Sequence, residues 1–155
     1  MPESTERPAD APEVGIRPIH LRFRYLSLVF LGGVIGTAAR EALSLAVPGV
    51  NGIPVAILAV NLAGAFLLGL LLESLARRGA DHGARRLVRL LLGTGVMGGF
   101  TTYSALAADT ALLLGDGRTG AGILYGLGTV LLGAAATWLG IWAGMRAQER
   151  RGAAR

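Results

Sequence analysis

Four long apolar stretches constrain this chain more than any other feature. A helix needs about 20 apolar residues to cross a lipid bilayer, and four stretches of the sequence reach that length. They cover residues 25–47, 53–72, 87–114 and 121–145. The connections between them are short and leave no room for a further domain. The sequence therefore predicts an all-α membrane protein, with one four-helix transmembrane domain over residues 22–147.

The two ends of the chain are predicted to lie outside this domain. Residues 1–21 contain four prolines and scattered charges with little apolar content, which is typical of a disordered tail. They lack the apolar core of a signal peptide, so we expect no cleavage there. Residues 148–155 are predicted to form a short cytoplasmic C-terminal tail.

The composition supports a membrane protein and excludes several kinds of site. Only 16% of the residues are charged, against about 25% in a soluble domain. There is no cysteine, which excludes a disulfide, a thiolate metal site and a cysteine nucleophile. The net charge of +5 comes from arginines that flank the apolar stretches. That placement favours the lipid bilayer as partner and argues against nucleic-acid binding.

The arginines also predict which way the chain crosses the membrane. Four crossings put both termini and the middle connection on one side, and that side carries thirteen of the fifteen arginines. The other side carries only Arg40 and Arg118. Since cytoplasmic loops carry the excess of positive charge, we expect a multi-pass plasma-membrane protein with both termini in the cytoplasm.

The third apolar stretch has an unusual interior. Residues 93–104 contain four glycines and four Ser or Thr residues, which are poor material for a continuous helix. This pattern favours a helix broken in mid-membrane between about Gly95 and Thr102, although a softened, kinked helix is the alternative. A break frees backbone carbonyls, and such carbonyls often coordinate small cations.

Isolated polar residues occur in the other stretches. Asn61 lies inside the second stretch, where it serves either as a helix–helix hydrogen bond or as a donor along an ion path. Tyr125 and Thr129 are four residues apart and share one face of the fourth helix. Arg40 and Asp109 are charges within or near the membrane. No catalytic constellation accompanies them, so we predict that the chain is not an enzyme.

Three pairs of glycines occur on two of the four helices, the first and the fourth. A spacing of four residues between small side chains lets helix backbones approach closely. Such pairs are typical either of ordinary tight packing or of a specific dimer interface. They are Gly32 with Gly36, Gly122 with Gly126, and Gly140 with Gly144.

Three motifs together resemble the CrcB/Fluc family of fluoride channels. Residues 32–40, GGVIGTAAR, are similar to the GGxxGAxxR motif of the family's first helix. Residues 60–69, VNLAGAFLLG, are similar to VNxxGSFxxG in its second helix. Residues 95–104, GVMGGFTTYS, are similar to its third-helix hallmark GxxGGxTTFS. The resemblance extends over all four helices.

The resemblance implies a subunit that passively conducts fluoride out of the cytoplasm. It implies an antiparallel dimer with two fluoride pores at the subunit interface, and a structural sodium ion at the dimer centre. Main-chain carbonyls that fall on Gly98 and Thr101 would hold the sodium. The pore residues implied for this sequence are Arg40, Asn61, Tyr103, Ser104, Leu106, Tyr125 and Thr129.

Four positions depart from the family pattern. Tyr103 and Leu106 stand where the family has its two pore phenylalanines, Ile57 where it has a threonine, and Asp109 where it has a glutamate. The excess of arginine on one side also opposes insertion in both orientations. Both observations favour a pair with a homologous subunit of opposite orientation, which would need only one fully equipped pore.

Two alternative functions remain open from the residues. One is a small proton-coupled multidrug antiporter, which requires a lone membrane carboxylate; Glu41 lies beside Arg40 near the membrane interface and suits that role poorly. The other is a non-conducting partner subunit of a heterodimeric channel, which the substitutions at Leu106 and Ile57 would permit.

Overall fold

The computed structural model describes residues 23–153. Its elements are α1 (Phe23–Ala46), α2 (Val55–Ala76), α3 (Ala84–Val88), a π-helical segment (Arg89–Met97), α4 (Gly98–Phe100), α5 (Tyr103–Gly115) and α6 (Thr119–Ala153). Four runs are long and apolar enough to cross a membrane: α1, α2, the joined run Ala84–Gly115, and α6. The predicted all-α fold with four transmembrane helices is confirmed. The predicted tail over residues 1–21 lies outside the described residues.

The third span is interrupted, as the sequence predicts. After α4, Thr101 and Thr102 are extended, with ψ of 155° and 118°, and the chain then resumes as α5. The π-helical segment before the break contains two buried glycines, and local π adjustments are one way in which a membrane helix accommodates such residues. The span is therefore a bent helix in several joined pieces.

The connection between α1 and α2 is a tight turn. Asn51 and Gly52 have φ of 52° and 74°, and Val50 and Ile53 exchange backbone hydrogen bonds of 3.0 and 2.9 Å around them. Positive φ at both central residues defines a type I′ turn, which asparagine and glycine adopt with little strain. Arg118 Nη2 donates to the Asn51 carbonyl at 2.8 Å, so this turn is attached to the start of α6.

Glycines set the distance between neighbouring helices. α1 packs along the π-helical segment and α2 packs along α6. A Cβ on Gly32 would lie 2.9 Å from both Gly95 Cα and Val96 N, and a Cβ on Gly140 would lie 2.9 Å from Leu70 N. Membrane helices pack this closely because lipid supplies no hydrophobic drive for their association.

The three predicted glycine pairs all have their close neighbours inside the chain. The first pair, on α1, faces the π-helical segment and α4. The second pair, on α6, faces Leu114 and Thr110 of α5, and the third, also on α6, faces Phe66, Leu70 and Glu73 of α2. Packing within one subunit therefore accounts for them, and a dimer interface is not required.

Few large side chains are buried within the single chain. Among the described residues, the buried apolar side chains are Ala56, Ile57, Val60, Leu106, Leu113 and Tyr125. Many large apolar side chains of α1 and α6 are more than half exposed, including Phe30, Leu124 and Leu131. In a membrane these exposed side chains face lipid or a second subunit.

α6 is longer than a membrane crossing requires. Its 35 residues span about 52 Å at 1.5 Å per residue, whereas the hydrocarbon core is about 30 Å thick. The helix continues to Ala153 and so runs through most of the predicted C-terminal tail. The Arg146 guanidinium lies 5.1 Å from the centre of the Trp142 ring, a pairing that suits the membrane interface.

The contact of α1 with the π-helical segment predicts opposite effects at two adjacent glycines. Gly32→Ala should lower stability by about 1–3 kcal/mol, because its methyl group meets backbone that cannot move aside. Gly33→Ala has open space around its Cβ, so it should be neutral or slightly stabilising through helix propensity. Thermal unfolding in detergent, followed by loss of the monodisperse species, measures both. Equal destabilisation by the two variants would contradict this packing.

Candidate ion-conducting site

Asn61 holds the break in the third span. Its Nδ2 donates to the Thr102 carbonyl at 3.0 Å, and the Thr102 N–H donates to its Oδ1 at 2.8 Å. One side chain on α2 therefore satisfies both backbone polar groups of an extended residue. Extended backbone at membrane depth needs such partners because lipid offers none. Of the two roles considered for Asn61, the structure shows a hydrogen bond between α2 and the third span. The contact engages Oδ1 and one of the two N–H donors of the amide, and the second N–H remains free within residues 23–153.

The break diverts two backbone donors from their helical acceptors. In a continuous α-helix the Thr102 N–H would bond to the Gly98 carbonyl, but it bonds to Asn61. The Ala105 N–H would bond to the Thr101 carbonyl, but it donates to Thr102 Oγ1 at 3.1 Å. Both carbonyls singled out for a cation, those of Gly98 and Thr101, thereby lose their usual i+4 partner. Their chemistry fits a small hard cation such as sodium.

The break is shorter than the sequence predicts. Non-helical backbone was expected from about Gly95, but Gly98 has helical angles of φ −64° and ψ −35°, and α4 continues to Phe100. Only Thr101 and Thr102 are extended. Gly93 and Gly95 remain in the π-helical segment, and Gly98 and Gly99 remain in α4. The chain leaves the helix only where Asn61 and the Thr102 hydroxyl can replace the lost hydrogen bonds.

A groove of about 330 Å³ lies beside the break, between α2, α5 and α6. It brings together four of the predicted pore residues, Asn61, Tyr103, Leu106 and Thr129, and adds Thr101 of the predicted cation site. Its other lining residues are Gly64, Ala65, Leu68, Thr102, Val130, Gly133 and Thr137. No lining side chain is ionisable except the Tyr103 phenol, so the groove holds no fixed charge.

Most hydroxyls in the groove are already engaged. Thr101, Thr129 and Thr137 each donate to the carbonyl four residues earlier, at 2.8, 2.6 and 3.0 Å. Threonine commonly makes this bond inside helices. The donors that remain are the second N–H of Asn61 and the phenol of Tyr103, whose side chain is 79% exposed in the single chain.

Tyr125 and Ser104 lie next to the groove and do not line it. Tyr125 is buried and donates from its hydroxyl to Asp109 Oδ2 at 3.3 Å, which links α6 to α5. Its carbonyl accepts the Thr129 hydroxyl, so the predicted pair does lie on one face of α6. Ser104 is exposed, and its Oγ lies 3.1 Å from Thr102 Oγ1.

Arg40 lies apart from the groove. It is half-buried near the end of α1, and its Nε is buried without a hydrogen-bond partner among the described residues. Ser44, one turn further along α1, has a buried Oγ that also lacks a hydrogen-bond partner among the described residues. The single chain thus leaves this polar pair unsatisfied and does not bring it to the other predicted pore residues.

Sequence reasoning missed the central role of Thr102. This residue accepts from Ala105 N as the N-cap of α5, and its backbone makes both contacts with Asn61. Threonine is a preferred N-cap, so a helix start after Thr102 could have been identified from the sequence. Gly64 was also missed as a functional position: a Cβ there would collide with the Thr101 side chain, so glycine allows the break to reach α2.

The chain resembles known proteins over most of its length. It is 55% identical to the fluoride-specific ion channel FluC 2 of Leifsonia xyli over 135 residues, which cover 87% of this chain and 93% of the relative. It is 47% identical to FluC 1 of Cutibacterium acnes over 115 residues, or 74% and 80% of the two chains. FluC 1 of Streptomyces coelicolor is 39% identical over 127 residues, or 81% and 80%.

The matched family covers every membrane span. Residues 27–141 match the family described as CrcB-like protein, Camphor Resistance (CrcB). That range begins inside α1 and ends inside α6, and it contains the break, Asn61 and the groove. The chain therefore belongs to the CrcB family.

Proposed function

We propose that this chain is one subunit of a fluoride-selective channel that lowers cytoplasmic fluoride by passive export. The observation that carries the proposal is an uncharged groove with free hydrogen-bond donors at Asn61 and Tyr103, in a chain whose relatives are named fluoride-specific ion channels. The described residues do not favour the antiporter. The carboxylates of Asp109 and Glu73 are bonded to Tyr125 and Arg77, and Glu41 lies beside Arg40 near the end of α1.

The chemistry of the groove suits a small anion. Fluoride loses its hydration when it enters a narrow passage, and a buried ion is tolerated only if hydrogen-bond donors replace that water. The second Asn61 N–H is one such donor, and the Tyr103 hydroxyl and the positive edge of its ring are others. Leu106, one turn after Tyr103 on α5, offers only an apolar surface to the groove, which restricts where the anion can be stabilised.

The groove is only one wall of a passage. Tyr103 and Val130 line it and are 79% and 56% exposed, so the groove is open on the side away from the bundle. A pore that excludes lipid requires a second subunit to cover that side. We therefore place the fluoride path at a subunit interface, within an antiparallel dimer.

Charge argues that the second subunit is a homologue with the opposite orientation. The middle connection, the start of α1 and the end of α6 lie at one end of the bundle: Tyr25 and Asp81 line one pocket, and Gln148 Nε2 donates to the Ser74 carbonyl at 3.5 Å. In the sequence, thirteen arginines lie in the two termini, the middle connection and the adjoining helix ends, and two lie elsewhere. Such a bias sets a single orientation, with both termini in the cytoplasm.

We further propose that a sodium ion joins the two breaks at the dimer centre. The carbonyls of Gly98 and Thr101 would hold it, since both are released from their helical partners by the contacts of Thr102. The partner subunit would supply further oxygens. Bound there, the cation supplies a positive charge between the two subunits and fixes the geometry of both breaks.

Asn61→Asp should abolish fluoride flux. A carboxylate about 4 Å from the anion opposes it by about 4 kcal/mol at an effective dielectric constant of 20, which corresponds to a loss of about a thousandfold. Fluoride efflux from liposomes that hold the subunit with its partner, followed with a fluoride electrode, measures this. Asn51→Asp in the α1–α2 turn is the matched control and should conduct normally.

Asn61→Asp also removes a hydrogen bond to Thr102, so a second variant separates folding from conduction. Tyr103→Leu removes the exposed hydroxyl and ring without touching the break, and it should reduce flux while the dimer still elutes intact. Unchanged efflux from both variants, each assembled as a dimer, would refute the placement of the pore.

The arginine bias predicts one orientation for the chain expressed alone. A C-terminal reporter that is active on only one side of the membrane should give a cytoplasmic signal only, and liposomes with this chain alone should not conduct fluoride. Replacing Arg77, Arg78, Arg85 and Arg86 by Gln should increase the inverted fraction. Equal signals from both sides, together with flux from the chain alone, would exclude the heterodimer and leave the channel itself in place.

The sodium proposal predicts that dimer stability depends on the cation. Replacing sodium by choline at constant ionic strength should lower the temperature at which the dimer dissociates, and returning sodium should restore it. Asn61→Leu should weaken this dependence, because it leaves both polar groups of Thr102 unpaired and loosens the break. The same dissociation temperature in sodium and in choline would contradict a structural sodium site.

A further inference from the structure

A second groove, which the proposed channel does not use, opens at the arginine-rich end of the chain. It has a volume of about 470 Å³ and lies between the start of α1 and the start of the third span. Its inner wall is mainly apolar, with Leu26 and Val29 from α1 and Leu90 from the π-helical segment, and it also includes Thr94; Tyr25 lies near the mouth. Leu26 is 52% exposed, so the groove is accessible from the surface that faces lipid.

The mouth of this groove carries two arginines and one aspartate. Arg89 donates to both carboxylate oxygens of Asp81, from Nη2 at 2.8 Å and from Nε at 3.1 Å. Arg86 Nη2 donates to the Asp81 carbonyl, and its Nε lies 3.6 Å from the same carboxylate. The hydrogen bonds from Arg89 hold the pKa of Asp81 below its usual value. The three side chains therefore carry a net charge of +1.

Neither guanidinium is saturated by these contacts. Each arginine has five N–H donors, and the side chains of Arg86 and Arg89 remain 23% and 38% exposed. Asp81 orients both groups and neutralises only one of the two charges. The mouth can therefore donate several charge-assisted hydrogen bonds to one further monoanion, and arginine is well suited to phosphate oxygens.

The groove combines this mouth with a site for an alkyl chain. Arg86 and Arg89 lie at the start of an apolar span, which is the depth of the lipid headgroups. Leu26, Val29 and Leu90 continue inward from that depth. We propose that the groove binds one anionic phospholipid of the phosphatidylglycerol type, with its phosphodiester at Arg86 and Arg89 and one acyl chain along the apolar wall.

The net charge of the mouth favours an anionic headgroup over a zwitterionic one. A phosphatidylglycerol headgroup carries one negative charge, which matches the net charge of the mouth, and basic pockets between membrane helices on the cytoplasmic side are recurrent sites for anionic headgroups. Phosphatidylcholine carries the same phosphodiester but would bring an ammonium group next to two guanidinium groups. The site should therefore discriminate by headgroup charge and not only by chain length.

The test is native mass spectrometry of the full chain, with its partner subunit, in micelles containing equal amounts of phosphatidylglycerol and phosphatidylcholine. The wild-type protein should retain phosphatidylglycerol preferentially. In R86Q/R89Q this preference should fall at least fivefold, about the contribution of one basic side chain near an anionic lipid. The control R77Q/R78Q removes the same charge from the same end of the bundle, outside the groove, and should keep the preference.

A third variant tests the groove without changing any charge. Leu26→Trp fills the apolar wall and should also reduce retention of phosphatidylglycerol, even if R86Q/R89Q fails to fold. Equal retention by the groove variants and the control would overturn the proposal, because general attraction to a positive surface would then suffice. Loss of the dimer in Leu26→Trp with unchanged lipid retention would also overturn it, because a second subunit would then occupy the groove.

Discussion

The two hydrogen bonds between the Asn61 amide and the Thr102 backbone are the contact on which the rest of this structure depends. A membrane helix cannot open without leaving polar backbone groups in a medium that offers them no partners. Asn61 supplies one donor and one acceptor at the point of opening. Because it does so, the carbonyls of Gly98 and Thr101 are released and a groove without fixed charge forms beside them. The cation site and the anion path that we propose thus share one supporting side chain.

This contact requires close helix packing, and glycine provides it. Gly64 lets the break approach α2, while Gly32 and Gly95 let α1 lie against the π-helical segment. The same tight packing leaves few large side chains buried in the single chain. The proposed second subunit would cover the exposed Tyr103 beside the groove, and it could supply a partner for the unsatisfied Arg40 Nε on α1.

The distribution of charge separates two functions along the membrane normal. The centre of the bundle offers uncharged donors, which can replace the hydration of a small anion without trapping it. One end of the bundle concentrates guanidinium groups, which we propose set the orientation of the chain and bind a lipid headgroup. In one such cluster Asp81 offsets the charge of one of two arginines, which leaves a net charge of +1. The proposed choice of partner and the proposed choice of lipid thus both rest on the same end of the protein.

The sequence by itself determined the four membrane helices and the interruption of the third, because apolar length and glycine content are local properties. It also identified Asn61, though not its partner. The tertiary structure decided that the break is confined to Thr101 and Thr102, that the glycine pairs pack within the chain, and that Tyr125 bonds to Asp109 and does not line the groove. These outcomes depend on which backbone groups meet across helices, and residues 41 or 62 positions apart in the chain, as in the contacts of Asn61 and Thr37, leave no local pattern that reveals the pairing.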